Sequence, residues 1–328
     1  MRKILADGRW SGSHGIGRFS MEVLARLERT DILNEGPKPL SLQSLLWQRS
    51  HIKKHQQTHG VYFTPGYNPV LTSRMPYVMS IHDLIPLHIP SRFQTLKKIY
   101  FETLIKPAAR KASYIFTVSH FTKNTLIEWA GITPEKIIVA QNGISELLTP
   151  VGEKHTPGYT YFFAVGNARP HKNWLRLLSA FANAQIDPNI RLLLTGQTTP
   201  ALHYHLTQLG IHDRVVFTGT LSEAALAQYY RGALGLLFPS LYEGFGLPPI
   251  EAMACGTPVL TANTTALPEV TGNAALLVDP YDVDAIAKGI ETLTQKQETR
   301  IALGLKQAAL YTWDKTAATV QATLNTLL

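Results

Sequence analysis

The sequence predicts an α/β protein made of two doubly wound domains, and three observations carry that expectation. Short β-branched runs alternate with helical stretches almost throughout the 328 residues. The strand runs are nearly all apolar, as parallel strands covered on both faces should be. A stretch rich in Pro, Gly and charge, TPVGEKHTPGY from Thr149 to Tyr159, breaks the series and leaves a strand–helix series on each side. The length suits two domains.

In the first half the expected strands are KILA, VYFTP, YVMSIHD, YIFTVS and KIIVAQ. SHFTKNTLIEWAG is an amphipathic segment among them. The second half offers YFFAVG, RLLLTG, RVVFTG, GLLFPS, PVLTA and AALLVD, with SEAALAQYYRGA as a helix between strands. The chain closes on TWDKTAATVQATLNTLL, a helix with Trp313 and Leu324 on its apolar side. The domains are expected at 1–152 and 153–310, with 311–328 as the closing helix. No internal repeat or low-complexity segment interrupts this order. Ligands of such sheets bind at the carboxyl ends of the strands. The expected site is therefore the cleft between two domains that face each other.

Bulk composition narrows the class. A hydrophobic fraction of 45% with 16% charged residues is ordinary for a soluble globular enzyme. No apolar run reaches the roughly 18 residues a membrane span needs. MRKILADGRW reads as a first strand rather than a signal peptide, so a cytoplasmic protein is expected. The single cysteine, Cys255, allows no disulfide within the chain and reads as a small buried hydrophobe. The net charge of +8 favours anionic partners. No zinc-finger spacing or basic–aromatic pattern points to nucleic acid. Lys97, Lys98, Lys106, Arg110, Lys111 and Lys123 cluster in one region. The plain reading is a solvated helix face; the sharper one is a surface that meets anionic lipid at the inner face of the plasma membrane.

Several candidate residues stand where strands end. After strand one, LADGRWSGSHGIGRFSMEVL places Gly15 and Gly17 before a helix, where backbone N–H groups can approach a ligand. Ser20 stands where a dinucleotide fingerprint has its third glycine, so a tight turn explains the pattern equally well. YVMSIHD ends in His82-Asp83. A histidine there can donate to a substrate or shuttle protons, although a lone one is more often structural. KIIVAQNGI ends in Asn142-Gly143, by itself an ordinary turn. YFFAVG runs into NARPHKN, which sets Arg169 and Lys172 three apart before a helix. Two cations beside a helix N-terminus suit a diphosphate.

The most informative stretch is LYEGFGLPPIEAMACGTPV, Leu241 to Val259. Glu243 follows a strand. Gly244, Phe245 and Gly246 make a turn that exposes backbone N–H groups, and Leu247 follows. Pro248 and Pro249 suit a first helical turn, where a missing N–H is no loss. Glu251 lies one turn in, and Gly256 stops the helix. A carboxylate only accepts, so paired hydroxyls are its natural small-molecule partner, a ribose diol among them.

These residues resemble the family-4 glycosyltransferases, retaining enzymes of the two-Rossmann-domain type called GT-B. The similarity covers nearly the whole chain. EGFGLPPIE, Glu243 to Glu251, carries the family's paired glutamates, and GNARPHKN, Gly166 to Asn173, its Arg/Lys loop. HGIGRF, HDLIP and VSHFTK match weaker N-terminal patterns. The Trp313 helix matches a segment that crosses back to the first domain. The resemblance implies that Arg169 and Lys172 bind the donor's diphosphate and Glu251 the ribose. It gives the transferred sugar to Glu243 and to backbone N–H groups near Phe245 to Leu247. Gly15 and Gly17 would shape the loop near the phosphates and the acceptor, and His82 would lie near the sugar. Ser119 and Asn142 are further matches. Residues 1–152 become the acceptor side and 153–310 the donor side.

Glycosyl transfer to a hydroxyl needs the leaving diphosphate stabilised, which a metal or fixed cations can do. Arg169, Lys172 and a helix N-terminus are the metal-free solution, so no metal and no cofactor are expected. Asp282-Val283-Asp284 resembles a metal motif, but Asp282 suits a helix N-cap. His51, His55 and His59 lack a metalloprotease glutamate and sit in a polar segment, which reads as a solvated helix or loop. With no obvious nucleophile, the resemblance implies the family's same-face route, with Glu243 orienting sugar hydroxyls. A glycoside hydrolase would not need the cationic loop. A nicotinamide dehydrogenase would need the complete glycine motif. The HDLIP pattern and the short first domain look most like bacterial mannosyl- or rhamnosyltransferases of surface polysaccharide. The expected donor is GDP-mannose, and the acceptor a glycan, an oligosaccharide or one on a polyprenyl diphosphate. The alternatives are rhamnosyl or glucosyl transfer from dTDP or UDP donors and, in another class, a non-catalytic nucleotide-sugar binding protein.

Overall fold

A computed structural model describes residues 2–12, 15–70, 73–90 and 94–328. The chain forms two units. One joins the residues up to Gly143 with Thr312–Leu328, and the other is Ile144–Tyr311. The Pro- and Gly-rich stretch belongs with the second unit, where Arg231 donates to the carbonyls of Thr149 and Glu153 and His155 stacks on Tyr229.

In the first unit the strands are β1 (Lys3–Asp7), β2 (Thr30–Leu33), β3 (His59–Thr64), β4 (Tyr77–Ser80), β5 (Tyr114–Thr117) and β6 (Ile137–Val139). They form one parallel sheet in the order β2-β1-β3-β4-β5-β6. The helices are α1 (Gly15–Leu24), α2 (Leu42–His55), α3 (Ile85–His88), α4 (Gln94–Tyr100), α5 (Lys106–Lys111) and α6 (His120–Ala130). β3 and β4 are buried along their whole length, with apolar residues at their centres. Strand β2, TDIL, is partly exposed and lies at the sheet edge. It lacks the apolar run that reveals the other strands, which is why composition misses it.

The second unit holds β7 (Tyr161–Ala164), β8 (Arg191–Leu194), β9 (Val215–Phe217), β10 (Leu236–Phe238), β11 (Val259–Ala262) and β12 (Leu276–Val278). The parallel order is β12-β11-β10-β7-β8-β9. Its helices are α7 (Trp174–Asn183), α8 (Pro200–Leu209), α9 (Glu223–Gly232), α10 (Leu247–Ala254), α11 (Leu267–Thr271), α12 (Val283–Leu293) and α13 (Glu298–Ala308). Its core fills both sheet faces. Phe162, Leu177, Leu192 and Ile290 cluster on one side, and Tyr161, Phe163, Leu236 and Met253 in another cluster. Cys255 is buried in the second cluster, and burial pushes its thiol up to about 12, so it is unreactive at neutral pH.

The last helix, α14 (Trp313–Asn325), belongs to the first unit. Thr312 caps it, Thr316 donates to the Gln141 carbonyl, and Asp314 accepts from Arg26 Nε at 2.8 Å. The Trp313 ring meets Phe19 of α1. A side chain at Gly143 would strike the backbone of Trp313, so this glycine is required for the close approach.

Local signals place the other helix ends. Ser41, Ser119, Thr199, Ser222 and Asp282 cap α2, α6, α8, α9 and α12 by accepting from backbone N–H groups. Gly131 and Gly210 end α6 and α8 in the left-handed conformation. Among the described residues no helix is long and apolar enough to cross a membrane.

Each sheet has the same topological feature. β1 lies between β2 and β3, and β7 lies between β8 and β10. The connection after β7 leads to β8 on one side, while the connection after β10 leads to β11 on the other. The loops at the carboxyl ends of β7 and β10 therefore diverge and open a crevice, and the same holds for β1 and β3.

Candidate functional site

In the second unit the crevice lies between β7 and β10, and the two loops bordering it carry the predicted charges. The loop after β7 runs Gly166 to Asn173 and includes a short 3-10 turn, Pro170–Lys172. Asn173 ends that turn with φ at +61° and starts α7. Its buried side-chain amide donates to the carbonyls of Pro239 at 3.0 Å and Pro280 at 2.6 Å. These bonds tie the loop after β7 to the segments that follow β10 and β12. The His171 carbonyl also accepts from Leu241 N–H at 2.7 Å.

The tie brings Lys172 to Glu243. Lys172 Nζ donates to Glu243 Oε1 at 2.7 Å, and the two side chains are only 14% and 11% exposed. Lys172 Nζ also lies 4.6 Å from the centre of the Phe238 ring. Arg169 is exposed, and its side chain has no hydrogen bond or ion pair among the described residues. An exposed cation and a paired one thus share one loop at a strand end, an arrangement able to accept a diphosphate. His171 between them is buried. Burial lowers its pKa to about 4; Glu243 pulls it up, and the cations Lys172 and Arg169 push it further down. It stays neutral near pH 7 and adds no charge to the site.

Glu243 is fixed a second way. Its backbone N–H donates to Thr265 Oγ1 at 3.2 Å. Thr265 has φ at +60°, the left-handed region that a β-branched residue rarely adopts. The turn after Glu243 needs Gly246, whose φ is +103° and whose missing side chain leaves room for Leu267. Phe245 is buried against Tyr311, and Leu247, Pro248 and Pro249 form the first turn of α10. Gly244 is buried beside them. Glu251, one turn further, is 4% exposed and accepts from the Tyr230 hydroxyl at 3.0 Å. Tyr230 therefore orients Glu251 in an apolar setting. Asp282 accepts from Asp284 and Ala285 N–H, which is the helix cap its spacing suggests.

The remaining sequence candidates lie in the first unit. Gly17 is needed because a side chain there would strike the backbone of Gly12, whereas a side chain at Gly15 meets nothing within 4 Å. His14, which opens the HGIGRF motif, lies outside the described residues. His82 is buried, donates from Nε2 to the Pro65 carbonyl at 3.0 Å, and packs edge-on against Phe19 of α1. That contact joins the end of β4 to the helix of the glycine loop. Asn142 is buried, and its Oδ1 has no hydrogen-bond partner among the described residues. Ser119 is a buried N-cap whose oxygen accepts from Thr122 N–H at 3.0 Å.

Sequence reading missed several residues here. Ser80 Oγ and Thr117 Oγ1 end β4 and β5 as buried polar atoms without a partner among the described residues, like Asn142 Oδ1. Ser240 Oγ and Thr264 Oγ1 do the same beyond β10 and β11. Such atoms at strand ends are available to a polar ligand. Serines and threonines are common in loops, so only their burial marks them. Asp7, Arg9, Tyr62 and Asn68 form a buried network at the β1–β3 crevice, with Arg9 donating to Asp7 at 2.7 and 2.8 Å and stacking on Trp47. Its bonds are internal, and it holds the loop after β1.

Two other expectations change. His59 is not solvated; it is buried in β3 and pairs with Asp31 at 3.1 Å. Among the described residues no group of three or more His, Cys, Asp or Glu is arranged to hold a metal ion. In the basic cluster, Lys106 pairs with Glu102 and Arg110 donates to the Ala130 carbonyl, so part of that charge is structural.

Comparison with known proteins agrees with this fold. Residues 151–307 match the family described as Glycosyl transferases group 1, and residues 12–146 match Glycosyltransferase Family 4. The O-antigen chain mannosyltransferase B of Escherichia coli is 30% identical over 320 residues, covering 92% of this chain and 82% of that protein. The O-antigen chain mannosyltransferase RfbU of Salmonella typhimurium is 32% identical over 222 residues, covering 66% of this chain and 60% of the relative's length. Among solved structures, Anabaena HepE in complex with UDP-glucose superposes with a TM-score of 0.79 at 18% identity, over 100% of both chains. WaaG, a glycosyltransferase involved in lipopolysaccharide biosynthesis, gives 0.76 at 15% identity over 98% of this chain and 99% of its own. The fold is GT-B.

Proposed function

Because this chain belongs to the family-4 glycosyltransferases, we propose that it moves a mannosyl group from GDP-mannose to a hydroxyl of a glycan acceptor in surface polysaccharide synthesis. The Lys172–Glu243 ion pair across the β7–β10 crevice is the observation that carries the reading. It sets a cation for the diphosphate beside a carboxylate for sugar hydroxyls. The similarity to O-antigen mannosyltransferases supports mannose as the sugar.

In this proposal Arg169, Lys172 and the N–H groups that open α7 bind the diphosphate. Glu251, held by Tyr230, accepts from the ribose hydroxyls. The bond between the anomeric carbon and the diphosphate oxygen breaks, and the acceptor oxygen bonds that carbon on the same face. The acceptor's proton goes to the departing phosphate oxygen, so the products are the glycoside and GDP. Glu243 orients the sugar and stabilises its developing positive charge. The cations act without a metal. Asn142 and His82 are assigned to the acceptor-side unit.

The acceptor is proposed to be a glycan on a polyprenyl diphosphate, met at the inner membrane face by a cytoplasmic protein. Exposed Leu96 and Ile99 beside Lys97 and Lys98 on α4 support such a contact. Binding to anionic liposomes at low salt, lost at high salt, is the expected behaviour; no binding at low salt counts against it.

A thermal-shift panel of GDP, UDP, dTDP and NAD, each with and without EDTA, tests the donor site. A rise with GDP that survives EDTA is expected. A rise with UDP or dTDP alone moves the donor to glucose or rhamnose. A rise only with NAD, or none, overturns the site. Turnover of GDP-mannose separates the transferase from a nucleotide-sugar binding protein, and the anomer of the product tests retention.

A further inference from the structure

The first unit carries a second cationic site away from these strand ends. Arg49, Ile52, Lys53, Gln56, Ser73 and Arg74 line a cavity of about 490 Å³. Helix α2 supplies the first three, Gln56 follows its end, and Ser73 and Arg74 precede β4. The end of α2 leads into β3 and residues 73–74 lead into β4, so the cavity lies at the amino edge of the sheet. His82 and Asn142 lie past the carboxyl ends of β4 and β6.

Three cations line the cavity, and no carboxylate does among the described residues. Arg49, Lys53 and Arg74 have neither an ion pair nor a side-chain hydrogen bond among the described residues. Lys53 lies in the last turn of α2, where it offsets the negative end of the helix. Arg49, a turn earlier, and Arg74, on another segment, have no such duty. Like charges gathered without a counter-charge repel one another and favour an anion that bridges them. Two guanidinium groups and an ammonium offer forked and single donors, which suits the several oxygens of a phosphoryl group. The Gln56 amide adds a neutral donor, and buried Ile52 is part of the lining.

We propose that the Arg49–Lys53–Arg74 cavity binds a phosphoryl anion, separately from the Arg169–Lys172 loop. The proposal does not depend on the transferase reading. The phosphoryl group can come from a soluble phosphate or from a lipid headgroup. Leu42 and Leu46, 78% and 71% exposed, continue the Arg49 and Lys53 stripe of α2 at helical spacing. They give the lipid source a place for its acyl region.

The test uses the full chain, the double variant Arg49→Gln/Arg74→Gln and the variant Arg169→Gln/Lys172→Gln. Pyrophosphate is titrated by calorimetry without nucleotide, and vesicles with and without phosphatidylglycerol are sedimented with each protein. The altered cavity residues are exposed, and circular dichroism checks the fold. For a soluble source, wild type binds pyrophosphate at two sites and each double variant loses one. For a lipid source, Arg49→Gln/Arg74→Gln loses at least tenfold in binding to phosphatidylglycerol vesicles while GDP binding is unchanged. If this variant matches wild type in both pyrophosphate stoichiometry and vesicle binding, the proposal is wrong.

Discussion

Lys172 and Glu243 are 71 residues apart in the chain and meet at 2.7 Å on the border of one crevice. Neither side chain is well hydrated, so removing one leaves a poorly solvated charge behind. In the proposed reaction an arriving diphosphate would compete with Glu243 for Lys172, and a sugar with Lys172 for Glu243. Lys172→Ala should weaken nucleoside diphosphate binding by about 10- to 100-fold, the worth of hydrogen bonds to a charged group. Glu243→Gln should lower turnover strongly and leave nucleoside diphosphate affinity near wild type. Calorimetry with the nucleotide and a turnover assay separate the two. A covalent sugar trapped on Glu243 would sink the proposed role.

The Tyr230 hydroxyl donates to Glu251. Tyr230→Phe keeps the ring in the core and removes the 3.0 Å bond to the carboxylate. The buried Glu251 then loses a donor, at a cost of about 1–3 kcal/mol in stability. Urea denaturation should show that loss, and KM for the donor should rise more than kcat falls. A wild-type KM with the stability loss would restrict Tyr230 to a structural role.

Thr265 combines backbone strain with a contact to Glu243. The left-handed conformation costs a β-branched residue about 1–2 kcal/mol. Thr265→Gly removes this cost and also the hydroxyl that accepts from Glu243 N–H. The variant should melt at or above the wild-type temperature and turn over more slowly. A variant that loses stability while keeping full turnover would show that the strain does not serve the site.

His171 makes stability depend on pH. Its folded pKa of about 4 lies below the ordinary 6.5, chiefly through burial. The unfolded chain takes up a proton between these values and the folded chain does not. The stabilisation is complete above pH 6.5 and is lost as pH falls from 6.5 towards 4, by on the order of 2 kcal/mol from this residue. Burial also lowers His88 and His155, so they act in the same direction. Comparing wild type with His171→Gln at pH 7 and pH 5 isolates one term: the variant should lose less stability on acidification. Equal losses would mean that His171 titrates normally.

Much of the architecture is local and hence legible in the sequence. Apolar runs such as YFFAVG and YVMSIHD become buried parallel strands, and Asp282 and Gly256 act at helix ends as their residue types suggest. The paired glutamates and the Arg169–Lys172 loop are readable because glycine turns, helix starts and charge spacing are short-range features. β2 escapes because an exposed edge strand needs no apolar run. The basic cluster misleads in part, because Lys106 and Arg110 find partners that charge counting does not see.

The sequence alone determined the two strand–helix series, the helix ends and the kinds of residue placed after each strand. Each follows from hydrogen bonding and side-chain pattern within a few residues. Tertiary structure alone decided that β10 pairs with β7 and that Lys172 meets Glu243 there. It also set Tyr230 on Glu251 and Thr265 under Glu243 N–H, and brought Arg74 and Arg49 to one cavity. These contacts join distant segments. Their partners are chosen by strand order and core packing, and no spacing along the chain encodes them.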